Sequence, residues 1–199
     1  FVKTVFLSAT IAMNTSVTTN NPGVLNISSS TTANSGCSIL PNNNATICPY
    51  YIMPSQQFDC ILRLPSTINA LTTIRFGIIG NNTFADATNG VYFEIVNNGV
   101  VAKTANASTR SSSSSFTLSA LTFYHFRIVV NSLSLITYTI FDMSGATLFT
   151  TTLNTNIPTQ TAQIQPGLVA TNSGTTAVPL LGIDYISFYQ PPLQRGALT

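Results

Sequence analysis

Val91-Tyr92-Phe93-Glu94-Ile95-Val96 runs into Asn97-Asn98-Gly99 and returns through Val100-Val101-Ala102-Lys103. The flanks are β-branched and aromatic and the centre is a tight-turn signal, so the stretch reads as a β-hairpin. The same pattern extends in both directions. Upstream, Thr73-Ile74-Arg75-Phe76-Gly77-Ile78-Ile79 puts Ile74, Phe76 and Ile78 on one face, and residues 61–64 begin another strand. Downstream, residues 123–130 set Phe126, Ile128 and Val130 against His125, Arg127 and Val129. Residues 135–141 follow, then Asp142-Met143-Ser144-Gly145 as a turn, then residues 146–152. The last strand is Gly182-Ile183-Asp184-Tyr185-Ile186-Ser187-Phe188-Tyr189, stopped by Pro191-Pro192. Period-two alternation dominates, and the helical period is nearly absent. At least ten strands at spacings of roughly 8–15 residues predict an all-β sandwich or barrel. The serine run 111–115 reads as a solvated loop. Residues 1–190 read as one domain and 191–199 as a tail without periodicity.

A chain of 199 residues suits a single domain. Apolar residues make up 44%, enough for a core, but charged residues only 6%, against roughly 25% in a typical soluble domain. Ser and Thr together number 51 and Asn 19, so about a third of the chain is small, neutral and polar. That composition excludes a coiled coil or helical bundle. The abundance of aromatic and β-branched residues excludes a disordered chain. Seven Lys and Arg scattered over the chain, net charge +2, do not make a nucleic-acid surface. The most apolar window, residues 126–141, is broken by Arg127, Asn131, Ser132, Ser134 and Thr137, so no membrane insertion is expected. The start of the sequence does not read as a cleavable signal peptide.

Three cysteines are present, Cys37, Cys48 and Cys60. The turn-rich segment between the first two could close a Cys37–Cys48 disulfide loop, or all three could remain thiols; the odd count argues against a disulfide framework. Their spacing fits no zinc site, and His125 is the only histidine. Five Asn-x-Ser/Thr sequons, at Asn14, Asn26, Asn44, Asn81 and Asn106, are what this Asn, Ser and Thr content yields by chance, so they say nothing about compartment.

The carboxylates are five: Asp59, Asp86, Glu94, Asp142 and Asp184. A retaining glycosidase needs two carboxyl groups about 5–5.5 Å apart, and on a strand this calls for acid–x–acid. No such pair occurs, and the neighbours of Glu94 two positions away are Tyr92 and Val96. A Ser-His-Asp triad would need His125, and no nucleophile-elbow motif accompanies any serine. Asp86 with Asn81, Asn82 and Asn89 is the one candidate calcium cluster, and it reads better as Asx turns. No metal and no cofactor is therefore expected. Glu94, Arg75 and Arg127 are expected on one sheet face as a cross-strand ion pair. A ligand surface would use Glu94 and Arg127 beside Tyr92, with Tyr50 and Tyr51 as the other exposed aromatic candidates.

The order of motifs carries a resemblance. Asn21-Pro22-Gly23-Val24-Leu25 with Thr31-Thr32-Ala33-Asn34 comes first, then Ile74-Arg75-Phe76-Gly77-Ile78 and Asn89-Gly90-Val91-Tyr92-Phe93-Glu94. Phe126-Arg127-Ile128-Val129-Val130, Asn156-Ile157-Pro158 and Ile183-Asp184-Tyr185-Ile186 complete it. Over residues 5–190 the chain resembles the laminin-G-like or concanavalin A-like jelly-roll domains of tailed-bacteriophage virion proteins: tail fibres, head fibres and capsid decoration proteins. The cysteine-bearing insert at 37–51 departs from that pattern. The resemblance implies a two-sheet antiparallel jelly-roll sandwich displayed on a virion and in contact with capsid or fibre subunits. It also implies a homo-oligomer, a trimer in fibre-type proteins. A non-enzymatic structural module is the leading expectation. A receptor-binding domain for a host surface glycan is the first alternative, and a glycan hydrolase using Glu94 the second.

Overall fold

The central hairpin forms as its sequence dictates: Val96 pairs with Gly99, and Asn97 and Asn98 take the left-handed backbone, φ 49° and 61°, of a type I′ turn. The computed structural model describes residues 2–6, 10–13, 24–41, 50–65, 68, 70–80, 85–176 and 178–191. Among these every regular element is a strand. In chain order they are β1 (Val2–Phe6), β2 (Thr10–Met13), β3 (Leu25–Ser28), β4 (Ser35–Leu40), β5 (Gln57–Arg63), β6 (Thr72–Ile79), β7 (Gly90–Val96) and β8 (Gly99–Asn106). There follow β9 (Thr109–Ser112), β10 (Phe116–Thr117), β11 (Phe123–Ser132), β12 (Leu135–Phe141), β13 (Thr147–Leu153), β14 (Gln165–Asn172) and β15 (Pro179–Tyr189).

Two antiparallel sheets result. Sheet A runs β1-β4-β14-β6-β7-β8-β10, with β9 also paired to β8; sheet B runs β13-β12-β11-β5-β15-β3-β2. The inward residues read from the sequence are inward: Ile74, Phe76 and Ile78 from sheet A meet Phe126, Ile128 and Val130 from sheet B in one buried core. Aromatic rings lock the two layers. Phe126 stands edge-on to Phe76 at 4.9 Å and to Phe93 at 5.3 Å, and Phe93 meets Tyr138 at 5.3 Å. The Tyr138 hydroxyl crosses to sheet A and donates to the Lys103 carbonyl at 2.7 Å, which satisfies the one polar atom this ring brings into the core.

Three details differ from the sequence reading. Ser111 and Ser112 belong to β9 rather than a loop, because β8 continues past the hairpin and offers them a ladder. β5 starts at Gln57, four residues before the expected strand. β14 carries Pro166 inside a sheet. It is tolerated because pairing of β14 with β4 begins only at Leu168, so among the described residues Pro166 faces no second strand there. Cys48, Asn81, Asn82, the Asn21-Pro22-Gly23 motif and residues 192–199 lie outside the described residues. So does the question of a Cys37–Cys48 bridge. Cys37 and Cys60 are both buried.

Candidate functional site

The outward residues of β6, β7 and β8 come into line by register. Arg75 lies opposite Glu94 and Tyr92 opposite Lys103, so strand pairing alone puts two cations, a carboxylate and a phenol on one patch of sheet A. The connection between β6 and β7 brings Asp86 back over it, and β9 adds Arg110. Arg75 Nε sits 2.7 Å from Glu94 Oε2 and 3.2 Å from Asp86 Oδ1. Lys103 Nζ sits 2.6 Å from Glu94 Oε1 and 3.3 Å from Asp86 Oδ2. Arg110 Nε is 3.0 Å from Asp86 Oδ2, and the Tyr92 hydroxyl donates to Asp86 Oδ1 at 2.7 Å. Three cations thus enclose two carboxylates. The side chains of Arg75, Glu94 and Lys103 are only 12%, 11% and 15% exposed. Beneath them Leu40, Ile79, Ala87, Tyr92, Ala105 and Val169 form a second buried cluster outside the main core.

Burial works to raise the Asp86 pKa, but the Tyr92 hydrogen bond and the charges of Arg75, Lys103 and Arg110 outweigh it and hold the group below its usual range. Tyr92 is pushed the other way, by burial and by its bond to Asp86, and stays protonated. The cluster is therefore a set of ionised groups satisfied by one another. It clasps the β6–β7 connection to the sheet. It also corrects the spacing argument: two carboxylates do come together here, one from a strand and one from a connection, without any acid–x–acid pattern.

The outer face of sheet B holds the second polar group. Asp59 on β5 lies between Arg127 on β11 and Ser187 on β15. Its carboxylate accepts from Arg127 Nε at 2.8 Å, from His125 Nε2 at 2.6 Å and from Gln57. Burial raises the Asp59 pKa less than these hydrogen bonds, led by Gln57 and Arg127, lower it. Phe141 backs the group: the His125 ring lies 5.3 Å from it, and the Arg127 guanidinium 5.7 Å from its centroid. On β15, Tyr185 and Tyr189 flank this row and are 49% and 57% exposed.

The residues singled out from the sequence are thus divided among three places. Tyr92 and Glu94 share the sheet A cluster, where Tyr92 is fully buried and so offers no exposed ring. Arg127 does not join Glu94 and Arg75; it stands on the other sheet, because β11 pairs with β5 and β12 rather than with β6 or β7. Tyr50 bridges Ile164 and packs edge-on against Phe188 at 5.4 Å. Tyr51 is 40% exposed, and its carbonyl accepts from Gln56. The sequence reading missed Lys103 as a partner of Glu94, and Asp86 and Arg110 as further members of the cluster, since a connection and two later strands supply them. It also missed Tyr185 and Tyr189, which the alternation Tyr185, Ser187, Tyr189 places on one face. Among the described residues no group of three or more His, Cys, Asp or Glu gathers as a metal site.

This architecture, two antiparallel sheets with a shared core and outward polar clusters, is a concanavalin A-like sandwich of the kind seen in lyases and lectin-like domains. Over residues 20–184 the sequence matches the family of SO2946-like C-terminal domains, and the chain belongs to that family. The structure is similar to SO2946 of Shewanella oneidensis MR-1, a protein of unknown function, with a TM-score of 0.70 and 21% identity over 94% of this chain and 76% of that one. It is also similar to an endo-β-1,4-glucuronan lyase of the fungus Trichoderma reesei, with a TM-score of 0.61 and 13% identity over 94% and 90% of the two chains. A third is the binding domain of botulinum neurotoxin DC, solved with rat synaptotagmin II, at 0.57 and 14% over 94% and 43%. No curated protein is significantly similar in sequence.

Proposed function

We propose that this domain works by contact rather than by catalysis, as a structural and recognition module on the surface of a virion. The observation that carries the reading is the state of its carboxylates. Asp59 is bound to Arg127, and Asp86 and Glu94 to Arg75, Lys103 or Arg110, at 2.6–3.3 Å. A general acid needs a carboxyl group raised toward neutral pH, and Asp59 and Asp86 are moved the opposite way. A hydrolase acting through Glu94 would first have to break its bonds to Arg75 and Lys103.

The virion placement draws on the bacteriophage resemblance and on composition. A surface of Thr, Ser and Asn makes hydrogen bonds across permanent contacts without the desolvation cost of Lys and Glu. Assembly fits the same reading. β13 is an edge strand of sheet B, and its sequence Thr-Leu-Phe-Thr-Thr-Thr-Leu has no charge and no proline, the devices that normally keep edges from pairing. Other virion subunits, and further copies of this chain in a trimer, are the partners this surface suits. Gold-labelled antibody against the domain should decorate the outside of particles in electron micrographs. Label that stays with cells and leaves particles bare would overturn the placement.

Carbohydrate recognition is the second reading, favoured by the exposed Tyr185 and Tyr189 beside the Asp59–Arg127 pair. The glucuronan lyase acts on a polysaccharide, and its sandwich spans nearly the whole of this chain, which makes a saccharide a reasonable partner for the fold.

A further inference from the structure

We infer that the outer face of sheet B binds a carboxylate-bearing saccharide, with Arg127 taking the carboxylate and Tyr185 and Tyr189 stacking on sugar rings. The proposal rests on reading the domain as a contact module and names the ligand chemistry of one face.

Strand register lays out the surface in three rows. Tyr185, Ile61, His125 and Phe141 form the first, Ser187, Asp59, Arg127 and Thr139 the second, and Tyr189, Gln57, Val129 and Thr137 the third. The two tyrosines are four residues apart on one strand, so their attachment points are about 13 Å apart on the same face. They make two separate ring platforms on either side of the polar row, not a single apolar patch. Between and beyond them the face carries hydroxyls: Ser187, Thr137 and Thr139, then Thr150 and Thr152 on β13. A protein interface is built round a contiguous apolar centre. Separated rings among hydroxyls suit a ligand with apolar ring faces and a hydroxyl at nearly every carbon.

The guanidinium of Arg127 selects an acidic ligand. Asp59 and Phe141 fix Arg127 in place, but Asp59 engages only Nε. Among the described residues no hydrogen bond uses the guanidinium's Nη atoms, and the side chain is 37% exposed. A guanidinium held at Nε presents its two Nη groups as a fork that matches a carboxylate. Arg63 lies on the same face over the Phe123 ring at 5.2 Å, and among the described residues its Nε has no hydrogen-bond partner. Asp59 is taken up by Arg127 and Asp184 is exposed at the β15 bulge beside Tyr185, so selection for an acidic ligand comes from the Nη fork of Arg127 and not from the net charge of the face.

The test is isothermal titration of the purified chain with a β-1,4-oligoglucuronate and with the cello-oligosaccharide of equal length, which differs by lacking the carboxylates. Sialyllactose serves as a second acidic probe. At least one acidic probe should bind, more weakly as salt rises, and the cello-oligosaccharide should bind at least about tenfold more weakly, the worth of a charge-assisted hydrogen bond. Arg127→Lys should weaken the acidic probe by about tenfold or more. Tyr185→Ala and Tyr189→Ala should each weaken it about three- to tenfold. Met143→Ala, at the exposed β12–β13 turn, should leave binding unchanged. Amide NMR spectra establish that each variant is folded; both tyrosines are exposed, so their loss spares the core. Failure of both acidic probes to bind, equal binding of the neutral chain, or binding indifferent to all three substitutions overturns the proposal. If the probes fail while a photo-crosslinker at position 185 joins the domain to a neighbouring subunit in intact particles, the saccharide is wrong and the contact module stands.

Discussion

Glu94→Gln removes one charge and almost no volume, so it isolates the electrostatics of the sheet A clasp. Glu94 bridges Arg75 at 2.7 Å and Lys103 at 2.6 Å, and its side chain is 11% exposed. At an effective dielectric near 20, a pair of charges about 4 Å apart attracts by about 4 kcal/mol before desolvation is counted. Much of that gross attraction offsets the cost of drying the ions. What matters is the state left behind. The substitution raises the cluster from one excess positive charge to two, with Asp86 at 3.2 and 3.3 Å as the remaining anion for Arg75 and Lys103. Breaking a fully isolated buried pair costs about 3–5 kcal/mol; because Asp86 still serves both cations, the expected loss is about 2–4 kcal/mol. In a chain of this length that lowers the melting temperature by roughly 4–15 °C. Urea unfolding at pH 7 measures the free energy, and repeating it in 1 M NaCl tests burial, since salt screens exposed pairs much more than dry ones. In a double-mutant cycle with Lys103→Met, the two losses should fall short of additivity by about 1–3 kcal/mol. A Glu94→Gln protein within about 0.5 kcal/mol of the parent, or a deficit erased by salt, would refute the account of the cluster as a closed clasp.

Acid should loosen the fold through Asp59 and Asp86. Both have depressed folded-state pKa values, so their contribution is present above the unfolded carboxyl value of about 3.9 and is lost as pH falls through the folded values. Urea midpoints should therefore hold from neutrality to about pH 5 and drop below about pH 4, and a midpoint flat to pH 3 would contradict this. Gly167→Ala should cost about 1–3 kcal/mol, because a Cβ there collides with the Leu40 side chain and stands 2.5 Å from the Ile39 carbonyl; an unchanged melting temperature would show that Leu40 can move aside. Light scattering of the concentrated chain should give the mass of three copies, and Thr150→Lys on the exposed face of β13 should lower it. A clean monomer would count against assembly through this chain alone.

What could be read from the sequence, and what could not, follows the physics of each element. β11 and β12 are buried on one face, and β6 over its first half, so their alternation gives away strand, register and inward side chains; β7 is buried along nearly its whole length and is legible through the Asn97-Asn98-Gly99 turn that ends it. β14 is buried along its whole length, since the Leu40–Val169 cluster covers its outer face, and a strand without alternation leaves no period to detect. The Arg75–Glu94 pairing follows from two neighbouring strands, and the sequence reading had both. The separation of Arg127 from it does not, because which sheet a strand joins is a long-range choice that local pattern does not encode. Asp86 illustrates the same limit. As part of a turn it has the look of an Asx residue, and only the return of the connection over Tyr92 and Lys103 makes it the centre of five polar contacts. Tyr185 and Tyr189 were legible as alternate residues of the last strand, but their exposure depends on no further layer covering sheet B there.

Contact and catalysis are separated by incubating the chain with a uronic-acid polysaccharide and following both retention in affinity electrophoresis and the length of the polymer. Retention is expected with the polymer left at full length, in parent and Glu94→Gln protein alike. Shortening of the polymer by the parent, abolished by Glu94→Gln or Tyr92→Phe in folded protein, would contradict it and make the sheet A cluster a catalytic centre.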